Sequence, residues 1–181
     1  LMDTNTYTEV KINIKDTICS GLKKISNKKS LKKEKNAILL FDGRGECAAH
    51  TFYEYDKNNN WNYYKGYDFI IIDYPGYGHS QGTPSYKKVL KMAEESYTTI
   101  SSEYNNVIVM GYSLGTGVAT YIANKFTPQK LILVSPYTNG FDINDYTVKI
   151  IPNRWKSYIT NEFPSDKYAT KINIPTLIIA T

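Results

Sequence analysis

The chain of 181 residues is 41% hydrophobic and 22% charged, with 11 glycines and 7 prolines, which excludes collagen-like and disordered classes. Its length suits one domain of about 100–200 residues, large enough to bury a core without disulfide or metal staples. The net charge of +5 is a local feature: residues 1–36 carry nine lysines against four acids, and the remainder balances. The excess sits at Lys23, Lys24, Lys28, Lys29, Lys32, Lys33 and Lys35. A cluster of this kind marks either a surface for nucleic acid or anionic membrane, or a solvated hairpin tip. It contains no arginine and no interleaved aromatics, the groups that nucleic-acid readers use, so the solvated hairpin is the preferred reading and no nucleic-acid partner is expected.

Cys19 and Cys47 form neither a disulfide framework nor a metal spacing, and both read as small buried hydrophobes. Apolar runs such as Ala37–Phe41 and Leu177–Ala180 fall far short of the ~20 residues that span a bilayer. Residues 1–20 lack the apolar core of a secretory leader, and a cytoplasmic location is expected.

Taken in chain order, Thr8–Ile14 alternates, with Val10, Ile12 and Ile14 on one face, and predicts a half-exposed strand. Ile18–Ile25 is a weaker second strand. Ala37–Phe41 is continuously apolar and runs into Asp42-Gly43-Arg44-Gly45, a buried strand ending in a glycine loop. Glu46–Tyr64 predicts a helix, weakened by Asn58-Asn59-Asn60 and closed at Lys65-Gly66, where glycine supplies positive φ. Phe69–Asp73 is the next buried strand and leads into Tyr74-Pro75-Gly76-Tyr77-Gly78. Thr83 and Pro84 predict a helix start, as N-cap and first helical residue, and Val89, Met92, Ala93, Tyr97 and Ile100 follow at helical spacing. Val107–Met110, Leu131–Val134 and Pro175–Ala180 complete a set of five buried strands, with a helix from Gly117 to about Phe126 between the first two. Apolar strands alternating with helices predict an α/β fold: a mainly parallel sheet covered on both faces, with the two alternating strands as an antiparallel edge.

The informative segment is Val107-Ile108-Val109-Met110-Gly111-Tyr112-Ser113-Leu114-Gly115-Thr116-Gly117. It places Gly-x-Ser-x-Gly between a buried strand and a helix. A serine there sits on a sharp, strained turn that lifts its hydroxyl above the sheet. Gly111 and Gly115 remove side chains that would collide across the turn, and Gly117 and Ala119 are expected to let the helix pack close to the strands. Helix N-terminal amides beside the serine favour developing negative charge.

With these motifs the chain resembles the α/β-hydrolases, and more narrowly the small serine hydrolases of the serine aminopeptidase and acyl-protein thioesterase-like branch. The resemblance runs over about residues 8–181 and includes Asp73-Tyr74-Pro75-Gly76-Tyr77-Gly78-His79-Ser80, the Gly111–Gly117 elbow, Ser135-Pro136-Tyr137-Thr138 and Ile174-Pro175-Thr176-Leu177-Ile178-Ile179. It implies Ser113 as nucleophile and the Leu114 N–H as one oxyanion donor. A second donor is implied in the loop after the third strand, with Arg44 first and Gly45 next. Relatives usually carry histidine where this chain has Asp42, which changes that loop's charge and hydrogen bonding.

A serine hydroxyl needs a base, and the fold orders its triad as Ser, then Asp or Glu, then His. The branch places the acid after the Leu177–Ala180 strand and the histidine one strand later, so both are expected past Thr181. The two histidines, His50 and His79, both precede Ser113. His79 is out of order for a triad but, like Tyr74 and Tyr137, is a candidate substrate contact at a strand end. Asp142 and Asp145 stand where some members of the fold carry an alternative acid, and Phe141–Phe163, with Trp155 and Tyr158, suits a short cap. Asp73 is expected to close its strand and tie down the next turn. No phosphate-cradling loop, nicotinamide fingerprint or metal-ligand cluster is present, so no cofactor is expected.

The chain therefore reads as a single domain, incomplete at its C-terminus, of a serine hydrolase acting on a small-molecule or acylated substrate (an ester, thioester or small amide) through an acyl-enzyme. A catalytically silent binding or scaffold protein that keeps the elbow as a turn is the alternative reading. A polyanion-binding module using the lysine cluster ranks third. The last strand would leave an open sheet edge, covered either by further residues or by a second copy in a homo-oligomer.

Overall fold

The computed structural model describes residues 7–26, 34–138 and 163–180. They form seven strands: β1 (Tyr7–Ile14), β2 (Thr17–Lys24), β3 (Asn36–Phe41), β4 (Asp68–Ile72), β5 (Asn106–Tyr112), β6 (Lys130–Val134) and β7 (Thr176–Ile179). The strands make one sheet in the order β1-β2-β4-β3-β5-β6-β7. β2 pairs antiparallel with both β1 and β4, and every other pairing is parallel. The expected architecture, a mainly parallel sheet with an antiparallel N-terminal edge, is the observed one. Continuous apolar runs in β3, β4 and β5 reflect burial of both faces, whereas β1 buries Ile12 and Ile14 and exposes Lys11 and Asn13.

Helices cover both faces unequally. On one face lie α2 (Tyr86–Glu103) and α3 (Leu114–Lys125), whose Val89, Met92, Val118 and Ile122 pack on Leu39, Phe41 and Val109. On the other, α1 (Ala48–Lys57) sets Phe52 against Ile38, Phe69 and Ile71. A single 3-10 turn, Asn60–Tyr64, extends this second cover; there Phe52 stacks on Trp61 and both meet Phe69 edge-to-face, with centroids 5.3–6.2 Å apart. A fourth short helix, α4 (Ser165–Ala169), lies against α3. Its neighbour Phe163 is 7% exposed, packed in the α2–α3 core and 5.0 Å from the Tyr86 ring.

Several expectations change. The helix predicted over Glu46–Tyr64 breaks after Lys57, because Asn59 takes a left-handed backbone (φ 54°) and the last turn tightens to 3-10 geometry. The α2 N-cap is Ser85 rather than Thr83. Its extended backbone (φ −151°) lets the hydroxyl accept from the Lys88 N–H at 3.4 Å, while Pro84 packs beside Gly76 in the preceding loop. β7 forms where expected but is exposed along its length, with Leu177 at 54% and Ile178 at 61%, because no described helix packs over either of its faces. Cys19 is fully buried as expected, but Cys47 is only half-buried at the α1 N-cap.

Within the lysine cluster, Lys24 belongs to the packing. Its ammonium lies 4.5 Å from the Tyr7 ring centroid and 4.6 Å from that of Trp61, and it pairs with Asp56 at 3.3 Å. Lys28, Lys29, Lys32, Lys33, Asp142, Asp145, Trp155 and Tyr158 lie outside the described residues.

This distribution of burial predicts a contrast measurable by urea unfolding. Ile122→Ala, in the fully buried seam of α3, is expected to lose about 2–5 kcal/mol. Ile178→Ala is expected to change stability by no more than about 0.5 kcal/mol. Comparable losses at the two positions would contradict the assignment of β7 to an open edge.

Candidate active site

The site forms where β5 passes into α3. Ser113 stands between them as the helix N-cap with φ 48° and ψ −116°, a left-handed backbone that non-glycine residues rarely adopt. Four contacts hold it there. Its N–H donates to the Val134 carbonyl of β6 at 3.0 Å, and its carbonyl accepts from the Thr116 N–H at 2.9 Å and the Thr116 hydroxyl at 2.7 Å. The fourth is steric. A Cβ on Gly111 would lie 2.5 Å from the Gly115 carbonyl oxygen, so the turn closes only around glycine.

Gly115 serves a different contact from the one expected. A Cβ there would collide with the Phe41 carbonyl and approach the Asp42 carbonyl oxygen to 2.7 Å, so this glycine seats the helix start on the end of β3. Gly117 also differs from expectation: the space it leaves is filled by Tyr137 and Phe163 rather than by strands. Ser135, at the end of β6, also has positive φ (50°), but no helix begins there.

Leu114 is the first residue of α3, which puts its N–H among the helix-start amides that lack an intrahelical acceptor. Across from it runs the loop after β3. Asp42 is 6% exposed, and its carboxylate accepts from the Gly43 N–H at 2.8 Å and from the Thr51 hydroxyl of α1. The Gly43 amide is thereby committed, and Arg44 carries the next amide of the loop. Arg44 and Gly45 are both exposed, and Gly45 takes φ 82° with open space around it.

Tyr74 is placed differently from its role as a candidate substrate contact. It is 4% exposed, and its hydroxyl donates to the Asp42 carbonyl at 2.8 Å, bracing the loop from below. Tyr137 is half-buried against α3, with its hydroxyl donating to the Leu114 carbonyl at 3.2 Å. Burial pushes the phenols of both tyrosines above their ordinary range, so both stay protonated.

Asp73 does close its strand and tie down the next turn. Its carboxylate accepts from the Ala48 N–H at the start of α1, at 2.6 Å, and from the His79 N–H, with Gly78 making room. His79 is exposed, and its main chain helps fix this turn. His50 pairs with Glu46 one helical turn away at 2.7 Å, and that carboxylate pushes its pKa up. Neither Thr51 nor the Asp73–Ala48 contact was foreseen, because both join segments whose sequence spacing carries no signal.

A cavity of about 490 Å³ opens beside Tyr112, between α1 and the exposed side of the sheet. Leu40, Met110, Val134 and Ile179 give it an apolar floor, and Asp42 and His50 stand on its polar side. The register runs Tyr112, Val134, Ile179 across β5, β6 and β7, so the end of β7 lies two strand spacings, about 10 Å, from the elbow. Among the described residues no cluster of histidine, cysteine and carboxylates could hold a metal ion, and no helix is long and apolar enough to cross a membrane.

A strained serine elbow at the carboxyl end of a mixed sheet defines a class, and comparison with known proteins agrees. The family described as alpha/beta hydrolase fold matches residues 36–176, and the chain belongs to it. Human Alpha/beta hydrolase domain-containing protein 17B is 32% identical over 116 residues, 62% of this chain and 38% of that protein. The Xenopus tropicalis 17C protein is 32% identical over a stretch of the same length, so the match spans little more than a third of these curated relatives. Among solved structures, the Pyrococcus furiosus esterase Pf2001 superposes with a TM-score of 0.68 at 18% identity, covering 95% of this chain and 69% of that one. A predicted CIB-like hydrolase from Thermoplasma acidophilum gives 0.55 at 19% identity, covering 96% and 86%. At such identities these two show the shared fold.

Two predictions follow from the packing and the buried acids. Gly115→Ala is expected to cost about 3 kcal/mol or more, at the upper end of overpacking, because its obstacle is backbone. Gly45→Ala, strained but unobstructed, is expected to cost about 1–2 kcal/mol. Equal effects in chemical denaturation would contradict the seating of α3 on β3.

Burial raises the Asp42 carboxyl above its ordinary range, more than its Thr51 and Gly43 hydrogen bonds lower it. The folded state therefore holds this proton to higher pH than the unfolded chain does. Asp42 thus subtracts stability as pH rises from the ordinary carboxylate range through its raised value. In Asp42→Asn the unfolding free energy is expected to fall less steeply between mildly acidic and neutral pH, and an unchanged profile would contradict the shift.

Proposed function

We propose that the chain carries the nucleophile half of a serine hydrolase that cleaves an ester, thioester or small amide. Ser113 attacks the carbonyl carbon, and the carbonyl oxygen takes up negative charge as the tetrahedral intermediate forms. The Leu114 N–H and the Arg44 N–H receive that oxyanion. Collapse expels the alcohol, thiol or amine and leaves an acyl group on Ser113, which water then removes. Each oxyanion donor of this kind is worth about 10²–10³ in rate. The observation that carries this reading is the left-handed backbone of Ser113 at the N-cap of α3, a costly conformation for serine that points its hydroxyl away from the sheet.

The proton acceptor and its orienting acid are assigned to sequence past Thr181. Residues leaving β7 emerge beside the cavity next to Tyr112, two strands from the elbow, which suits the chain order Ser, acid, His. The same cavity, polar on one side and apolar on its floor, is where such a segment would reach Ser113. The narrower likeness to the serine aminopeptidase and acyl-protein thioesterase-like branch belongs to this proposal, and so does the reading of residues 1–181 as one incomplete domain.

The test is covalent labelling. A fluorophosphonate probe is applied to this chain and to a longer product of the same gene, and the adduct is mapped by mass spectrometry. The longer product is expected to label rapidly at Ser113 and to lose labelling in Ser113→Ala. Failure of the longer product to label would overturn the enzyme reading in favour of a silent binding protein.

A further inference from the structure

The opposite edge of the sheet carries a feature that the serine chemistry does not use. The β1–β2 turn and the first turns of α2 bound a groove of about 530 Å³. Four lysines line it (Lys15, Lys87, Lys88 and Lys91), with Asp16 as the one carboxylate among the lining residues. Lys91 is paired to Glu95 at 2.5 Å. Lys15, Lys87 and Lys88 have no ion-pair partner among the described residues. Lys15 is held at the turn by a left-handed backbone, φ 50°, and the Lys88 ammonium reaches over the 74–82 loop, 3.8 Å from where a Gly82 Cβ would stand.

The groove lies on the catalytic side of the sheet. β2 runs antiparallel to β4, so the turn that starts β2 sits at the carboxyl end of the parallel strands. The loop after β4 is clamped to that turn, with the Gln81 N–H donating to the Ile18 carbonyl at 2.9 Å and the Ile18 N–H to the Gln81 side chain at 3.2 Å. Through this loop, which also carries His79, the groove and the elbow share one rim.

Lys15, Lys87 and Lys88 share the groove with one carboxylate, Asp16, which leaves an excess of positive charge there, and a multiply charged anion placed among them relieves their mutual repulsion. The first turn of α2 contains no acidic residue and adds the positive end of an 18-residue helix to the same groove. A phosphate group fits these donors: it is compact, carries more than one charge at neutral pH as a monoester, and offers several acceptor oxygens to lysine ammonium groups. We propose that this groove binds a phosphate-bearing anion, so that the catalytic face is presented to a phosphorylated surface or ligand. The phosphate is supplied either by a lipid headgroup or by a soluble phosphate.

The two sources separate in one experiment on three proteins: the parent, the Lys15→Gln/Lys87→Gln/Lys88→Gln variant, and a Lys57→Gln/Lys130→Gln/Lys171→Gln control that loses the same charge elsewhere. Co-sedimentation is measured with vesicles of phosphatidylcholine alone and of phosphatidylcholine mixed with phosphatidic acid, whose headgroup is a phosphate monoester, and inorganic phosphate is titrated by calorimetry. A lysine near an anionic bilayer contributes about fivefold to binding, so the groove variant is expected to lose about a hundredfold. The control keeps most of its binding. Loss confined to the groove variant on anionic vesicles supports the lipid source, and loss confined to it in the phosphate titration supports the soluble source. Absence of binding in both assays, or equal loss in both variants, would overturn the proposal. Circular dichroism melts of the three proteins separate lost binding from lost folding.

Discussion

Everything at the elbow end of this molecule depends on the backbone of one residue. Ser113 is forced to φ 48° between the last residue of β5 and the first of α3. A non-glycine residue there costs of order 1–3 kcal/mol, which the surrounding structure must offset. It does so by tying the Ser113 amide to β6, tying its carbonyl to Thr116, and omitting side chains at Gly111 and Gly115. The strain is thus spread over β3, β5, β6 and α3, the best buried part of the fold. A residue lifted this way presents its hydroxyl and the following amide on the same side, which is the geometry that an attack on a carbonyl requires.

The loop after β3 is organised by a second set of contacts built from polar groups. Asp42 joins the Gly43 amide, the Thr51 hydroxyl and, through its carbonyl, the Tyr74 hydroxyl. Asp73 holds the start of α1 and the turn at His79. Two carboxyls raised by burial therefore flank the candidate oxyanion loop. The chain thus holds this loop with a carboxylate and a threonine. Tyr74, a candidate substrate contact on sequence grounds, is a buried brace for that loop.

The strands, their mainly parallel pairing and the antiparallel N-terminal edge were largely legible, because apolar runs of four to six residues separated by amphipathic stretches leave few alternatives to a parallel sheet. Gly-x-Ser-x-Gly between a strand and a helix was legible for the same local reason. What escaped the sequence was set by tertiary contact. Ser85 rather than Thr83 caps α2 because Pro84 is used against Gly76. The asparagines at 58–60 marked the helix as weak there, but not that Asn59 would end α1 by taking a left-handed backbone. The edge position of β7 was legible, but its exposure was not: the strand is as apolar as the core strands, and hydrophobicity alone does not reveal which strand the described helices leave uncovered. Lysine surroundings were not legible in the sequence: Lys24 of the N-terminal cluster is sandwiched by Tyr7 and Trp61, whereas Lys15 and the adjacent pair Lys87 and Lys88, distant from it in sequence, gather in one groove.

The central claim, that the fold holds Ser113 in a strained backbone, is tested most directly by the unfolding free energy of Ser113→Gly. Glycine adopts positive φ without the Cβ penalty, so the variant is expected to be more stable than the parent by about 1 kcal/mol. A loss of stability of that size or more would show that Ser113 is held by favourable contacts of its own side chain rather than against its conformational preference, and would contradict the account.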